Sequence, residues 1–139
     1  MQNGNLVQVE LSKIIIDEKR QDQVIVLKEK KGERQFPIII GFLEASSIKM
    51  KISGLEAPRP MTHDLVVNLI QTVGVKIERV IIDKLIANTF HAKLELKLSD
   101  GEKRLVDARP SDGIALAVRA NAEIFVEKEV LEKTAFLKP

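Results

Sequence analysis

Lys13–Asp17 reads KIIID, and Arg79–Asp83 repeats this pattern as RVIID, 66 positions further along the chain. The polar turn Gly32–Arg34 has a similar counterpart in Gly101–Lys103, 69 positions further along, and a helical pattern follows each turn. Isoleucine and valine are enriched in strands, and short apolar runs between polar residues are typical of buried ones. Because the same order of elements occurs twice, the sequence predicts an internal duplication of a βββα unit.

The order of the predicted elements indicates a fold class. It favours an α+β fold, with mixed or antiparallel sheets packed with helices, over a doubly wound parallel sheet. We place the two halves at about residues 6–54 and 75–126, linked by a helix at about 61–73. With 139 residues and no low-complexity linker, the chain is expected to form a single domain over residues 1–139.

Hydrophobic periodicity and turn signals place the individual elements. The helix at about 111–120 is apolar nearly all round and should be largely buried. The linking helix has one apolar face, formed by Leu65, Val66, Leu69, Ile70 and Val73. Strands are predicted at about 6–16, 24–29, 35–40, 75–86, 90–98, 103–107 and 123–126, and helices at about 42–52, 61–73, 111–120 and 127–133.

The composition limits the classes of function. The absence of cysteine excludes disulfides, thiolate nucleophiles and zinc sites built on sulfur. A formal net charge of +2 is too small to imply a polyanionic partner by itself. Five phenylalanines without tryptophan or tyrosine argue against a platform that stacks single-stranded bases. Met1–Asn5 lacks a signal-peptide pattern and no apolar stretch approaches the ~20 residues of a membrane helix, so a cytoplasmic protein without membrane attachment is expected.

Two Arg-Pro turns carry the candidate chemistry. Arg59–Leu65 reads RPMTHDL and Asp107–Gly113 reads DARPSDG, each directly before an apolar helical run. Proline disfavours a helical conformation in the preceding residue and tolerates the first helical turn, so both stretches predict a loop that enters a helix. Free N–H groups at helix starts hold anions or are capped by side chains. The predicted capping residues are Thr62 or Asp64 in the first turn and Ser111 or Asp112 in the second.

His63 and Asp64 allow two interpretations. His63 could act as a general base or metal ligand, or it could be a helix-start histidine with a structural hydrogen bond. Asp64 could share that chemistry, or it could only interact favourably with the helix dipole. Adjacent helical residues point about 100° apart, so these two side chains should not converge on one atom.

Asp107, Arg109 and Asp112 form the denser cluster of charged residues. An ion pair of Arg109 with Asp107, or with a carboxylate in the other half of the chain, would only stabilise the fold. Alternatively, the two carboxylates could hold a divalent cation while Arg109 binds a phosphate, as phosphodiester hydrolysis requires. Ser111 is expected to be a cap rather than a nucleophile, and Glu44 is the rough counterpart of Asp112 in the first half.

Several stretches carry a family resemblance. They are Pro37–Gly41 with Glu44 and Ala45, Arg59–Leu65, Asp107–Ala117 and Ile124–Val126. In this order they resemble the bifunctional nuclease family, which occurs in bacteria and plants. Gly113 stands where alanine is expected, a difference that lowers helix propensity by about 1 kcal/mol. The resemblance implies a compact α+β domain, a homo-oligomer with a dimer favoured, and hydrolysis of phosphodiester bonds in RNA and/or DNA.

The resemblance also implies a set of site residues. It suggests carboxylates that hold a divalent cation, Mg²⁺ or Mn²⁺, an arginine that binds phosphate and a histidine that moves a proton. The expected catalytic residues are His63, Asp64, Asp107 and Asp112, with Asp107 and Asp112 as candidate metal ligands. The expected phosphate-binding residues are Arg59, Arg109 and Ser111, supported by Glu44 and Thr62. The alternative is a non-catalytic oligomeric binding or regulatory module that holds an anionic ligand at the helix starts.

Overall fold

The structure is a computed structural model that describes residues 5–134 and 136. Every predicted strand and helix is present, with bounds that differ from the expected ones by at most two residues. The strands are β1 (Leu6–Ile15), β2 (Asp22–Glu29), β3 (Gln35–Gly41), β4 (Lys76–Ile86), β5 (Thr89–Lys97), β6 (Lys103–Ala108) and β7 (Glu123–Glu127). The helices are α1 (Phe42–Ile52), α2 (Thr62–Thr72), α3 (Pro110–Ala120) and α4 (Lys128–Lys133).

The strands form one mixed sheet in the order β3-β2-β1-β7-β4-β5-β6. Strands β1 to β3 and strands β4 to β6 each form an antiparallel meander, since short turns join the consecutive strands. Strand β7 lies between the two meanders, antiparallel to β1 and parallel to β4. The predicted α+β class is therefore confirmed. Both halves have the order βββα, while an internal duplication as the origin of that order stays a prediction.

Helix α3 lies at the centre of the packing. It contacts α1, α2 and strands β4, β5 and β7, and seven of its eleven residues are buried. This burial confirms the expectation drawn from its nearly uniform apolar surface. Because α3 begins at the second Arg-Pro turn, its central position brings that turn next to the other two long helices.

Helix α2 is buried less than its apolar face suggests. Val67 is buried and Ile70 is partly buried against the core. Leu65, Leu69 and Val73 remain 50%, 58% and 71% exposed. Residues four positions apart lie on the same side of a helix, so these three form one solvent-facing apolar stripe, which we call the α2 stripe. One edge of the apolar face therefore packs on the core while the other edge remains open.

Two expectations about the whole chain reach beyond what the structure describes. The expected lack of a signal peptide concerns Met1–Asn5, and residues 1–4 lie outside the described residues. The single domain over residues 1–139 likewise stays a prediction. Within the described residues, no helix has the length and apolar character to cross a membrane.

Gly113 lies where α3 closely approaches β4. A β-carbon at this position would be 2.7 Å from Cγ1 of Val80, which is fully buried. We expect Gly113→Ala to lower the free energy of unfolding by about 1 kcal/mol, because overpacking costs about 1–3 kcal/mol and outweighs a helix-propensity gain of about 1 kcal/mol. Urea denaturation measures this change. In a Val80→Ala background the same substitution should be harmless or stabilising, and an equal loss in both backgrounds would contradict the steric explanation.

Candidate functional site

Three helices bring their polar side chains together beside the second Arg-Pro turn. Hydrogen bonds and ion pairs connect these side chains to one another, and we call the connected set the three-helix network. Its members are Glu44 and Ser47 from α1, His63 and Asp64 from α2, Arg109 before α3, and Asp112 and Arg119 within α3. Both halves of the chain and the linking helix therefore contribute to one site.

His63 stands in the middle of the three-helix network. Its Nε2 lies 2.9 Å from Asp112 Oδ1, and its Nδ1 lies 2.8 Å from Ser47 Oγ. An ionised carboxylate only accepts hydrogen bonds, so Nε2 carries a proton and donates it to Asp112. In the neutral ring, Nδ1 then accepts a hydrogen bond from the Ser47 hydroxyl. Because both ring nitrogens are engaged within the protein, the direct effect of His63 is to orient Asp112.

Arg109 holds the same carboxylate from the other side. Its Nε lies 2.9 Å from Asp112 Oδ2, and its Nη2 lies 3.3 Å from Asp112 Oδ1. Its Nη1 approaches Glu44 Oε2 at 3.8 Å, which is too long for a hydrogen bond. Burial acts to raise the pKa of Asp112, but the hydrogen bonds from Arg109 and His63 outweigh burial and leave that pKa below its usual value. Asp112 is therefore an ionised acceptor at neutral pH.

Arg119 ties the three helices together below the surface, with a side chain only 5% exposed. Its Nε donates to Asp64 Oδ1 at 2.7 Å, and its Nη1 donates to the Ala115 carbonyl at 2.9 Å. Its Nη2 lies 3.1 Å from Ser47 Oγ. Asp64 Oδ2 also accepts a 2.9 Å hydrogen bond from the Met61 backbone N–H, so the prediction that Asp64 caps α2 is confirmed. The predicted divergence of His63 and Asp64 is confirmed as well, since they bind different partners.

The other predicted caps are wrong. Thr62 is the first residue of α2 and supplies no capping hydrogen bond. Arg109 occupies the N-cap position of α3, and no side chain caps the start of this helix. Asp112 does not cap because its carboxylate is already held by an arginine and a histidine side chain. Ser111 is buried at the second position of α3 and makes no hydrogen bond with its hydroxyl among the described residues.

Asp107 lies apart from the three-helix network. Its side chain is 77% exposed on β6, and its Oδ1 lies 3.2 Å from Lys93 Nζ on β5. Lys93 also pairs with the buried carboxylate of Asp83 at 3.3 Å. Asp107 and Asp112 therefore have separate partners. Across residues 5–134 and 136, no group of three or more histidine, aspartate or glutamate side chains is arranged to hold a metal ion. The expected divalent cation therefore stays a prediction, and we derive no step from a metal.

Two clefts flank the three-helix network. The Arg59 cleft encloses about 290 Å³ and includes Arg59 and Asp64 in its lining. The Arg109 cleft encloses about 430 Å³ and includes Glu44, Arg109 and Ser111 in its lining. Arg59 and Asp64 therefore line one cleft and Glu44, Arg109 and Ser111 line the other, whereas Thr62, His63, Asp107 and Asp112 line neither.

Sequence reasoning missed Ser47 and Arg119. Ser47 gives no sequence signal, because a serine within a polar stretch of a helix is ordinary. Arg119 had a signal, since it is the single charged residue in the last turn of a helix whose middle, residues 113–118, is apolar. A lone arginine in such a helix needs a partner from another element, because burying an unpaired charge is costly.

Acid sensitivity should reveal the ionised carboxylates of the three-helix network. The Met61 N–H and then the Arg119 side chain lower the pKa of Asp64, and the pKa of Asp112 is also lowered. A carboxyl group whose pKa is lowered by folding stabilises the protein at pH values above its ordinary pKa of about 4. That stabilisation is lost as the pH falls through the lowered pKa. We expect the free energy of unfolding to fall with acid below about pH 4, and less steeply in Asp64→Asn. Urea denaturation at a series of pH values measures this, with Glu33→Gln as the exposed control. Parallel curves for the wild type and Asp64→Asn would contradict the expectation.

Sequence comparisons relate the chain to known proteins. The family model for the bifunctional nuclease domain matches residues 25–138. Uncharacterized proteins from two strains of Mycobacterium tuberculosis are 39% identical over 126 residues, which cover 91% of this chain and 74% of each relative. Bifunctional nuclease 2 of Oryza sativa subsp. japonica is 30% identical over 118 residues, which cover 83% of this chain and 36% of that protein. This chain therefore belongs to the bifunctional nuclease domain family.

Proposed function

We propose that this protein hydrolyses phosphodiester bonds of RNA and/or DNA at the Arg109 cleft. The observation that carries the proposal is the Arg109 guanidinium, which is 67% exposed at the cleft and held there by Asp112. A fixed, accessible guanidinium is suited to bind a phosphate. Membership of the family, and the name of the rice relative, support the choice of reaction.

Arg109 binds the phosphate in this proposal. Its hydrogen bonds to Asp112 use Nε and Nη2, so the two N–H groups of Nη1 are left for phosphate oxygens. Because Asp112 already fixes the guanidinium, little reorganisation is needed when negative charge develops on the phosphate during hydrolysis.

Glu44 is the proposed general base. Its carboxylate lines the cleft 3.8 Å from Arg109, so a water molecule beside a bound phosphate would lie within its reach. His63 serves as a positioning residue, since it orients the carboxylate that holds Arg109. Proton transfer by His63 stays a prediction, and such a proton would have to pass through Asp112 or Ser47.

The test is cleavage of labelled single-stranded RNA and DNA in Mg²⁺, Mn²⁺ or EDTA. We expect Glu44→Gln and Asp112→Asn to lose activity, while Asp107→Asn keeps it because Asp107 lies outside the three-helix network. Circular dichroism of each variant establishes that it is folded. Cleavage unchanged by Glu44→Gln and Asp112→Asn would place the activity elsewhere, or in a contaminant.

A non-catalytic anion-binding module is the second candidate function. The observation that favours it is that His63, Asp64 and Asp112 are all paired within the protein, as residues that only hold helices together would be. Such a module holds an anionic ligand, for example a nucleic acid, at the helix starts without cutting it. Binding by the wild type with no cleavage in any metal condition would favour this module over hydrolysis.

The α2 stripe is our proposed contact between two copies in the predicted dimer. A two-fold contact pairs a surface with itself, and the neighbouring Asn68, Gln71 and Thr72 add no charge that would repel its copy. We expect Leu69→Lys to convert a dimer into a monomer in sedimentation experiments, whereas Lys49→Ala on α1 should not. A wild type that sediments as a monomer would refute the predicted dimer. The nucleic-acid partner and the cytoplasmic location also stay predictions.

A further inference from the structure

Ser47, His63 and Asp112 stand in the order hydroxyl, imidazole and carboxylate within the three-helix network. Ser47 Oγ lies 2.8 Å from His63 Nδ1, and His63 Nε2 lies 2.9 Å from Asp112 Oδ1. A serine hydroxyl is a weak nucleophile until an adjacent base takes its proton, and a third group orients that base. The three side chains come from three different helices, so only the fold reveals this arrangement. It is the geometry by which a nucleophilic serine is recognised.

The hydrogen bonds of His63 have the direction that a general base requires. The ionised Asp112 accepts the Nε2 proton, which leaves the lone pair of Nδ1 facing the Ser47 hydroxyl. The imidazole is thus fixed in one tautomer, with its basic nitrogen beside the serine. In serine proteases Nε2 faces the serine and Nδ1 faces the carboxylate. The two ring nitrogens have exchanged places here, while the order of the three groups is the same.

Arg119 adds a positive charge beside the Ser47 hydroxyl. Its Nη2 lies 3.1 Å from Ser47 Oγ, and its side chain is only 5% exposed. A hydroxyl oxygen has two lone pairs, so Ser47 keeps one of them for attack while it accepts a hydrogen bond from Arg119 and donates its proton to His63. A buried cation in this place stabilises the negative charge that develops on oxygen when Ser47 attacks a carbonyl group.

The Arg59 cleft begins one helical turn from Ser47. Met50 and Lys51 line this cleft, as does Arg119. Residues three and four positions apart lie on the same side of a helix, so Ser47 continues the row formed by Met50 and Lys51 on α1. Ser47 itself is partly exposed. With a volume of about 290 Å³, the cleft has room for a small organic molecule that approaches the hydroxyl from this side.

We propose that Ser47 is the nucleophile of a second activity, the hydrolysis of small carboxylic esters. Ser47 Oγ forms a bond to the ester carbonyl carbon while its proton passes to His63 Nδ1. The bond between that carbon and the alcohol oxygen breaks, and the alcohol leaves with the proton from His63. A water molecule then attacks the acyl-serine and gives a proton to His63 Nδ1, and Ser47 regains this proton as the carboxylic acid leaves. The inference does not rest on the proposed function, because its nucleophile and its cleft are different.

The test is the release of p-nitrophenol from p-nitrophenyl acetate by the whole protein, measured against buffer alone. We expect a rapid burst equal to the protein concentration, since the acyl-serine forms before it is hydrolysed. Ser47→Ala should abolish the burst, and His63→Gln should slow it by about 100-fold or more, as the loss of a general base predicts. Ser46→Ala, the neighbouring serine on α1, is the matched control and should behave like the wild type. An equal burst from Ser47→Ala would overturn the inference, because the nucleophile would then be another residue.

Labelling of the wild type keeps the proposal testable if a variant fails to fold. A fluorophosphonate bonds covalently to a serine that a neighbouring base activates, and mass spectrometry of the digested protein locates the label. We expect the label on Ser47. A wild type that shows no burst and no label, or a label on a different serine, would overturn the inference even if the protein cuts nucleic acid. A label on Ser47 with ester hydrolysis, but without cleavage of nucleic acid, would support this second activity and overturn only the proposed function.

Discussion

Arg119→Ala should lower the free energy of unfolding by about 3 kcal/mol, which places it at the lower end of the range for breaking a buried ion pair. The side chain of Arg119 is 5% exposed and donates hydrogen bonds to Asp64, Ser47 and the Ala115 carbonyl. Its removal leaves acceptors on all three long helices without their donor, and unsatisfied buried groups are costly. The loss is moderated because the Asp64 side chain is 36% exposed and can be partly solvated. Urea denaturation at neutral pH measures the change.

Two further variants show whether the geometry of Arg119 matters. Arg119→Lys keeps the charge but lacks the planar fork that reaches several acceptors, so it should recover only a small part of the lost stability. Arg104→Ala removes an arginine that pairs with Glu102 on the surface, and it should change the free energy of unfolding by less than about 1 kcal/mol. A similar small effect for Arg119→Ala would show that the three-helix network does not stabilise the packing of the helices.

The bounds of the elements were predictable because local signals mark them. Helix α1 begins after Gly41, ends before Gly54, and has the bounds predicted from those breaks. Gly54 has a φ of +75°, a conformation that favours glycine and stops a helix. The place of β7 between the two meanders could not be predicted, since it depends on pairing with β1, which is more than a hundred residues away in sequence.

The starts of α2 and α3 show why capping rules based on local sequence fail within the three-helix network. Asp64 and Asp112 occupy the same position in their helices, the third residue of the first turn. Asp64 accepts the backbone N–H of Met61 as the rule predicts, but the Asp112 carboxylate is taken by Arg109 and His63. His63 lies 49 positions from Asp112, so tertiary packing rather than local sequence decides between capping and pairing.

The comparison of the two halves predicted which carboxylates lie near Arg109, whereas the spacing of residues within one motif did not. Glu44 was predicted as the rough counterpart of Asp112, and in the fold these two carboxylates both approach the guanidinium of Arg109. Asp107 was grouped with Asp112 because they are close in sequence, yet it belongs to β6 and pairs across the sheet with Lys93. The proposed correspondence between the two halves therefore predicted proximity better than closeness along the sequence did.

Arg109→Gln should reduce kcat/KM for nucleic-acid cleavage by about 10²–10³-fold, the effect of removing one positioned charge donor from a reaction that develops negative charge. Glutamine keeps a polar side chain of moderate length but has neither the positive charge nor the paired donors of Nη1 and Nη2. Because Arg109 is 67% exposed, the same variant should change the free energy of unfolding by less than about 1 kcal/mol. Cleavage of labelled RNA at several substrate concentrations, together with urea denaturation, measures both quantities.

The charge-matched control for Arg109 is Arg104→Gln, which removes a similarly exposed guanidinium from β6, outside both clefts. If phosphate binding depends on the local arrangement around Asp112, Arg104→Gln should retain nearly all of the activity. If the two variants lose activity equally, the effect comes from the overall charge of the protein and its attraction for a polyanion, which falls steeply as salt is added. A salt series therefore separates the two explanations. Salt screens long-range attraction, so a loss of activity caused by the overall charge should become smaller at high salt. The loss caused by Arg109→Gln should persist at high salt, because it comes from a contact inside the cleft.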